Sequence, residues 1–138
     1  MPKPIVRCVL SGTYHKDREG LTSTYNELVA YGCQVISPHR LDFDAEETFF
    51  VRDNAERDIS EEVIERHHLL AIKQSDFVWL HAPNGYVGIS AALEIGYAIA
   101  HNIPVFSYIE LSEPIFRPFV RVVPSVFQGI ESLSTNYS

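Results

Sequence analysis

Cysteine, methionine and basic residues are the scarce components of this chain, and each scarcity excludes something. Of 138 residues, two are Cys (Cys8 and Cys33) and one is Met. Two cysteines cannot build a disulfide framework, and this pair has no metal-ligand spacing. Each lies in an apolar, strand-like run, so both are expected to be buried free thiols. Lys and Arg number 11 against 18 Asp and Glu, for a net charge of −7. That balance disfavours a nucleic-acid polymer or an anionic membrane as partner, since both need a basic face. A small phosphorylated ligand is still allowed, because it needs only a pocket of amides and one or two cations. No apolar run approaches the ~18 residues of a membrane-spanning helix. The opening MPKPIVRCVLSG enters a strand-like run with no signal-peptide h-region, and a cytoplasmic location is the default expectation. The patterns GxGxxG, GxxxxGK[ST], HExxH and GxSxG are all absent, so no dinucleotide, metal or other cofactor and no serine triad is expected.

One further absence is local. Between Phe77 and Ile109 the only Asp, Glu, Lys or Arg is Glu94. A lone carboxylate in the most apolar stretch of a chain that is 21% charged calls for a reason. Burying one without a partner is costly.

The rest of the composition is ordinary. A hydrophobic fraction of 46% fits a soluble globular protein, and the length fits one domain over residues 1–138. Pro4–Ser11 reads as a strand and Ser11–Gly20 as a polar loop. Leu21–Tyr31 has a helical period, stopped by Gly32. Cys33–Ser37 is a second short strand. Pro38–Asp58 is acidic, with Phe43, Phe49 and Phe50 scattered through it, and reads as a long functional or lid-like loop. Ile59–Gln74 is a helix opened by Ser60, with Ile59, Val63, His67, Leu70 and Ala71 on one face. Asp76–His81 is a buried strand, followed by a Gly-rich turn over Pro83–Ile89. A helix over Ser90–His101 takes Ser90 as its N-cap. Strands over Ile103–Tyr108 and Phe119–Val123 and a helix over Ser125–Leu133 complete the order. This alternation predicts an α/β fold: a mostly parallel five-stranded sheet with helices on both faces. Such sheets bind ligands beyond the carboxyl ends of their strands, where the strand order reverses. The loops after the first and third strands are therefore the places to look.

Ser11-Gly12-Thr13 offers small residues and free amides at a strand's carboxyl end, and Lys16 and Arg18 add positive charge for a phosphate. An ordinary surface loop is the plain alternative. Tyr14 either faces the cleft or covers it. Glu94 falls near the start of its helix, whose N-terminus favours an ionised carboxylate by roughly 0.3–1 kcal/mol, while apolar surroundings oppose ionisation. Its helix-face neighbours are Ala91, Ala98 and His101. An ionised, accessible, poorly solvated carboxylate is what a nucleophile requires. The plain alternative is a helix-start Glu that satisfies local amides. His67 and His68 diverge by ~100° on their helix and cannot both bind one metal. His81 ends the third strand and is a second candidate for the cleft. Asp76 starts that strand and suits a structural cap. Gly96 suits a close helix–sheet approach, and Trp79 suits the core.

The stretch SDFVWLHAPNGYVGISAALEIGYAIAHNIPVF resembles the nucleoside 2-deoxyribosyltransferase-like family, which includes the deoxynucleoside 5′-monophosphate N-glycosidases. The shared features are a strand opened by Asp, a Gly-rich turn, and a small-residue-rich helix whose Glu precedes Ile-Gly-Tyr-Ala. Ser11-Gly12-Thr13 and the Asp17-Arg18 pair are similar too, so the resemblance spans roughly residues 5–108. It implies a three-layer flavodoxin-like or Rossmann-like fold and a homodimer or larger homo-oligomer. It also implies a nucleoside or nucleotide substrate, with Glu94 as the nucleophile that attacks C1′ to form a glycosyl-enzyme ester. Two positions depart from the family pattern. His68 stands where the family has an Asp that protonates the base, and Gly88 stands where it has an Asp or Ser near the sugar. On this resemblance His68 is the candidate acid. Tyr14 and Ser90 would position the sugar, with Asn84 or Ser90 supplying the missing contact. Gly12, Thr13 and Gly88 would give backbone contacts, and Lys16 or Arg18 a phosphate contact. The alternatives are a non-catalytic nucleotide-binding module on the same fold, or a scaffold that binds protein through Phe43–Phe50.

Overall fold

The computed structural model describes residues 5–12, 16–38 and 60–135. Thr13 and Tyr14, and the lid-like loop beyond Pro38, lie outside the described residues. The elements are β1 (Arg7–Gly12), α1 (Arg18–Ala30), β2 (Gln34–Ser37), α2 (Glu61–Lys73), β3 (Phe77–His81), α3 (Ile89–Ala100), β4 (Val105–Ser107), β5 (Val120–Val122) and α4 (Val126–Thr135). Short 3₁₀ turns occupy Pro83–Gly85 and Pro114–Phe116. The five strands form one sheet in the order β2-β1-β3-β4-β5, and every pairing is parallel. The expected α/β architecture is therefore present. Among the described residues no helix is long and apolar enough to cross a membrane.

Alternation along the strands sorts the core into two layers. Cys8 and Leu10 of β1 and Phe77 and Trp79 of β3 pack beneath α1 and α4, with Leu21, Leu28 and Val126. Val9, Val78 and Leu80 face the other way, beneath α2 and α3, with Ile72, Ala91, Ile95 and Ala98. All five residues of β3 are buried, as a central parallel strand requires. Trp79 meets Tyr108 edge-on at 4.6 Å between centroids, the geometry aromatic quadrupoles favour. Cys8 and Cys33 are buried free thiols. At the amino edge, the Asp76 carboxylate accepts from Arg7 N at 2.8 Å while Asp76 N donates to Arg7 O. Asp76 thus fastens β3 to β1.

Three local expectations are corrected. On α2 the buried face is Ile64, His68 and Ile72, whereas Val63, His67 and Leu70 are exposed. Two stripes compete on this helix, and the one that meets α3 and the sheet wins because His68 finds polar partners there. On α3 the N-cap is Gly88, without a side-chain cap bond, and Ser90 is the second helical residue. Gly88 takes an extended backbone and its carbonyl accepts from Ala92 N at 2.9 Å, so the helix begins one residue earlier than expected. Gly96 is exposed, and a methyl group there would meet nothing within 4 Å. The close approach of α3 to the sheet is made by Ala91 and Ala98 instead.

Candidate active site

The chain leaves β1 for one side of the sheet and returns to place β3 on the other. The strand order therefore reverses between β1 and β3, and their carboxyl ends open a crevice there. Ser11 pairs with Leu80 and Gly12 with His81 at that edge. Because Cys8 and Leu10 face α1, alternation turns Val9 and then Ser11 toward α2 and α3.

Glu94 meets Ser11 there. It lies on the inner face of α3 between Ala91 and Ala98 and is 5% exposed. The Ser11 hydroxyl donates to Glu94 Oε1. His68 Nε2 lies 3.2 Å from the same oxygen, and His68 Nδ1 is 2.6 Å from Ser37 Oγ. A row of side chains thus runs from β2 through α2 and α3 to β1: Ser37, His68, Glu94, Ser11. Glu65, one turn before His68 on α2, brings a second carboxyl against Glu94.

The electrostatics of the two carboxyls diverge. Burial pushes Glu94 upward, but the charge of His68 and hydrogen bonds from His68, Glu65 and Ser11 outweigh it and hold Glu94 below the usual carboxylate value. Burial and the adjacent Glu94 carboxylate push Glu65 up to about 9. At neutral pH the site therefore holds one ionised and one protonated carboxyl, the arrangement that close carboxylates adopt when they cannot both ionise. Among the described residues no group of three or more His, Cys, Asp or Glu could hold a metal ion.

A second pair sits beside this row. His81 Nε2 is 3.3 Å from Asp17 Oδ2, and Asp17 also caps α1 by accepting from Gly20 N at 3.1 Å. Burial lowers His81 more than the Asp17 charge raises it, so the ring favours its neutral form. Gly12 is required for this packing. Its φ is +128°, and a Cβ there would sit 2.0 Å from the His81 carbonyl oxygen.

Not every residue singled out in the sequence joins the Glu94 cluster. Lys16 is exposed and stands 3.9 Å over the Tyr86 ring, bringing a cation to the rim between the first and third loops. Arg18 opens α1 and borders a shallow groove with Thr22 and Asn26, and no residue of the Glu94 row lines that groove. Asn84 is exposed at φ 56°, and its carbonyl accepts from Ser112 Oγ at 3.2 Å. Gly88 and Ser90 occupy the start of α3, the helix that carries Glu94. Three partners were missing from the sequence reading: Glu65, Ser37 and the Ser11 hydroxyl. Ser11 was placed at the right strand end but only for its backbone amide, and Glu65 left a trace in standing three residues before His68, on the same helix face.

No protein-family model and no curated protein matches the sequence. Among solved structures, the chain is similar to a CMP N-glycosidase of Clostridium botulinum, BcmB, with a TM-score of 0.56 and 16% identity over 94% of this chain and 98% of that one. At that identity the likeness is one of fold, and it agrees with the all-parallel sheet described above.

Proposed function

We propose that this protein cleaves, or transfers at, the N-glycosidic bond of a nucleoside or nucleoside 5′-monophosphate, with Glu94 as the nucleophile. The observation that carries the proposal is a buried carboxylate held ionised at the crevice where β1 and β3 diverge. Such a group is desolvated enough to react and charged enough to attack C1′. Ser11 and His68 fix the direction of its oxygen. Lys16 at the rim suits a 5′-phosphate. A CMP N-glycosidase on the same fold supports this substrate class.

One observation favours a second reading, a non-catalytic nucleotide-binding module: Glu94 Oε1 is engaged by both Ser11 and His68, as a purely structural carboxylate would be. Chromatographic base release from a panel of nucleosides and 5′-monophosphates separates the two. The catalytic reading expects release by the wild type and none by Glu94→Gln. A protein that releases no base, yet melts higher with a nucleotide in both forms, is a binding module.

The same reading includes a homodimer or larger homo-oligomer. Ile89 and Leu93, exposed one turn apart on α3, are apolar surface that such an assembly would cover. Sedimentation of Leu93→Glu beside the wild type tests this, and an unchanged monomer in both cases refutes it.

A further inference from the structure

Departure of a nucleobase requires a proton, and two groups beside Glu94 could supply one. His68 is engaged at both nitrogens, Nε2 toward Glu94 Oε1 at 3.2 Å and Nδ1 toward Ser37 Oγ at 2.6 Å. Its Nε2 faces the Glu94 carboxylate. Giving a proton away would remove the charge that keeps Glu94 ionised during attack. Glu65 is placed differently. Its carboxyl also hydrogen-bonds Glu94, but its Oε1 is buried without a hydrogen-bond partner among the described residues and so has an oxygen to spare for another group. An unsatisfied buried oxygen costs ~1–3 kcal/mol, and a catalytic task is one of the few reasons a protein keeps one.

We propose that Glu65 is the acid–base residue of the reaction, giving its proton to the departing base and recovering one from the water that resolves the glycosyl ester. The proposal rests on the glycosidase reading of Glu94. In the first half, an electron pair of Glu94 forms the O–C1′ bond. The C1′–N bond breaks with its pair on the base, and the Glu65 proton moves to the base. In the second half, a water oxygen attacks C1′ and a water proton goes to Glu65. The ester pair then returns to Glu94. The sum is one water consumed, base and sugar released, and both carboxyls restored. His68 stays beside Glu94 throughout, its Nε2 3.2 Å from Oε1.

The site's electrostatics drive this proton cycle. Burial, the contact with Glu94 and the charge of Glu94 together keep the proton on Glu65. When Glu94 becomes a neutral ester its charge disappears, so Glu65 ionises more readily in the intermediate. When the ester is hydrolysed the charge returns, and Glu65 takes up a proton again.

The test uses two leaving groups on the same sugar: the best nucleotide of the panel, and the corresponding 4-nitrophenyl glycoside, whose phenolate leaves unprotonated. Glu65→Gln is expected to lose about 10²–10⁴-fold on the nucleotide, the usual worth of general acid catalysis. It should stay within about tenfold of wild type on the nitrophenyl substrate, which also shows that the variant is folded. The wild-type rate on the nucleotide should fall through an alkaline limb near pH 9 that Glu65→Gln lacks. Equal effects of Glu65→Gln on both substrates overturn the proposal. A selective loss in His68→Asn instead assigns the acid to His68. If Glu94→Gln keeps activity on both substrates, or the wild type turns over neither, the nucleophile reading has failed and the proposal with it.

Discussion

Replacing Glu65 by Gln should change how stability depends on pH. An ordinary Glu loses its proton near 4.5, whereas folded Glu65 keeps its proton to about 9. Between those values the native state binds one proton that the unfolded state does not, so stability falls as pH rises. The limiting slope for one proton is ~1.4 kcal/mol per pH unit. From pH 6 to pH 8 the ceiling is thus ~2.7 kcal/mol. Glu65 is only partly buried, and solvent screening reduces this to about 1–1.5 kcal/mol. For a chain of this length 1 kcal/mol moves Tm by about 3–4 °C. The wild type should therefore lose about 3–6 °C more than Glu65→Gln between pH 6 and pH 8. His81 works in the opposite sense. Its folded pKa is lowered, so stability rises with pH up to its unfolded value of 6.5. That contribution is common to both proteins and cancels in their difference. Differential scanning calorimetry at both pH values, with and without the substitution, is the assay. Parallel pH dependences would show that Glu65 is ionised in the native protein, and the two-carboxyl account of the site would fall.

Other perturbations follow from the same geometry. Glu94 is held below its ordinary value, so its stabilising contribution is complete above pH 4.5 and fades as acid drives the pH through the lower folded value; in acid titrations by circular dichroism, Glu94→Gln should lose less stability than the wild type below pH 4.5. Gly12→Ala combines φ +128° with overlap of the His81 carbonyl, and should destabilise by ~3 kcal/mol or more in urea unfolding. Asp76→Ala removes the acceptor of Arg7 N and should cost about 1 kcal/mol in the same assay, while Asp76→Asn recovers part of it. Lys16→Ala should raise KM for a 5′-monophosphate several-fold while leaving KM for the matching nucleoside unchanged; equal effects on both would remove Lys16 from the phosphate contact.

Much of the fold was legible because parallel strands advertise themselves. FVWLH is an uninterrupted apolar run of the kind only a central strand tolerates, and the expected strands PIVRCVLS and CQVIS lie close to those that form, Arg7–Gly12 and Gln34–Ser37. The buried face of α2 was not legible. Both stripes carry apolar residues and one histidine, so periodicity does not separate Ile64–His68–Ile72 from Val63–His67–Leu70 until the partners of His68 are seen. Glu94 stood out because nothing charged surrounds it in sequence. Its solitude is only sequential, since Ser11 is 83 residues away and His68 and Glu65 come from another helix. A pattern within one element cannot report contacts of that range. Ser37 was hidden for the same reason, 31 residues before the imidazole it holds.

The division of labour between α2 and α3 has a consequence for how such a protein can diversify. On the reading proposed above, the nucleophile Glu94 rides on α3, whereas Glu65 and His68 ride on α2, three residues apart. Substitutions at those two positions of one 13-residue helix would then retune which departing groups are accepted, and at what acidity, while the sheet stays as it is. A library confined to Glu65 and His68, leaving the buried Ile64 and Ile72 in place, would explore new leaving-group chemistry without opening the core.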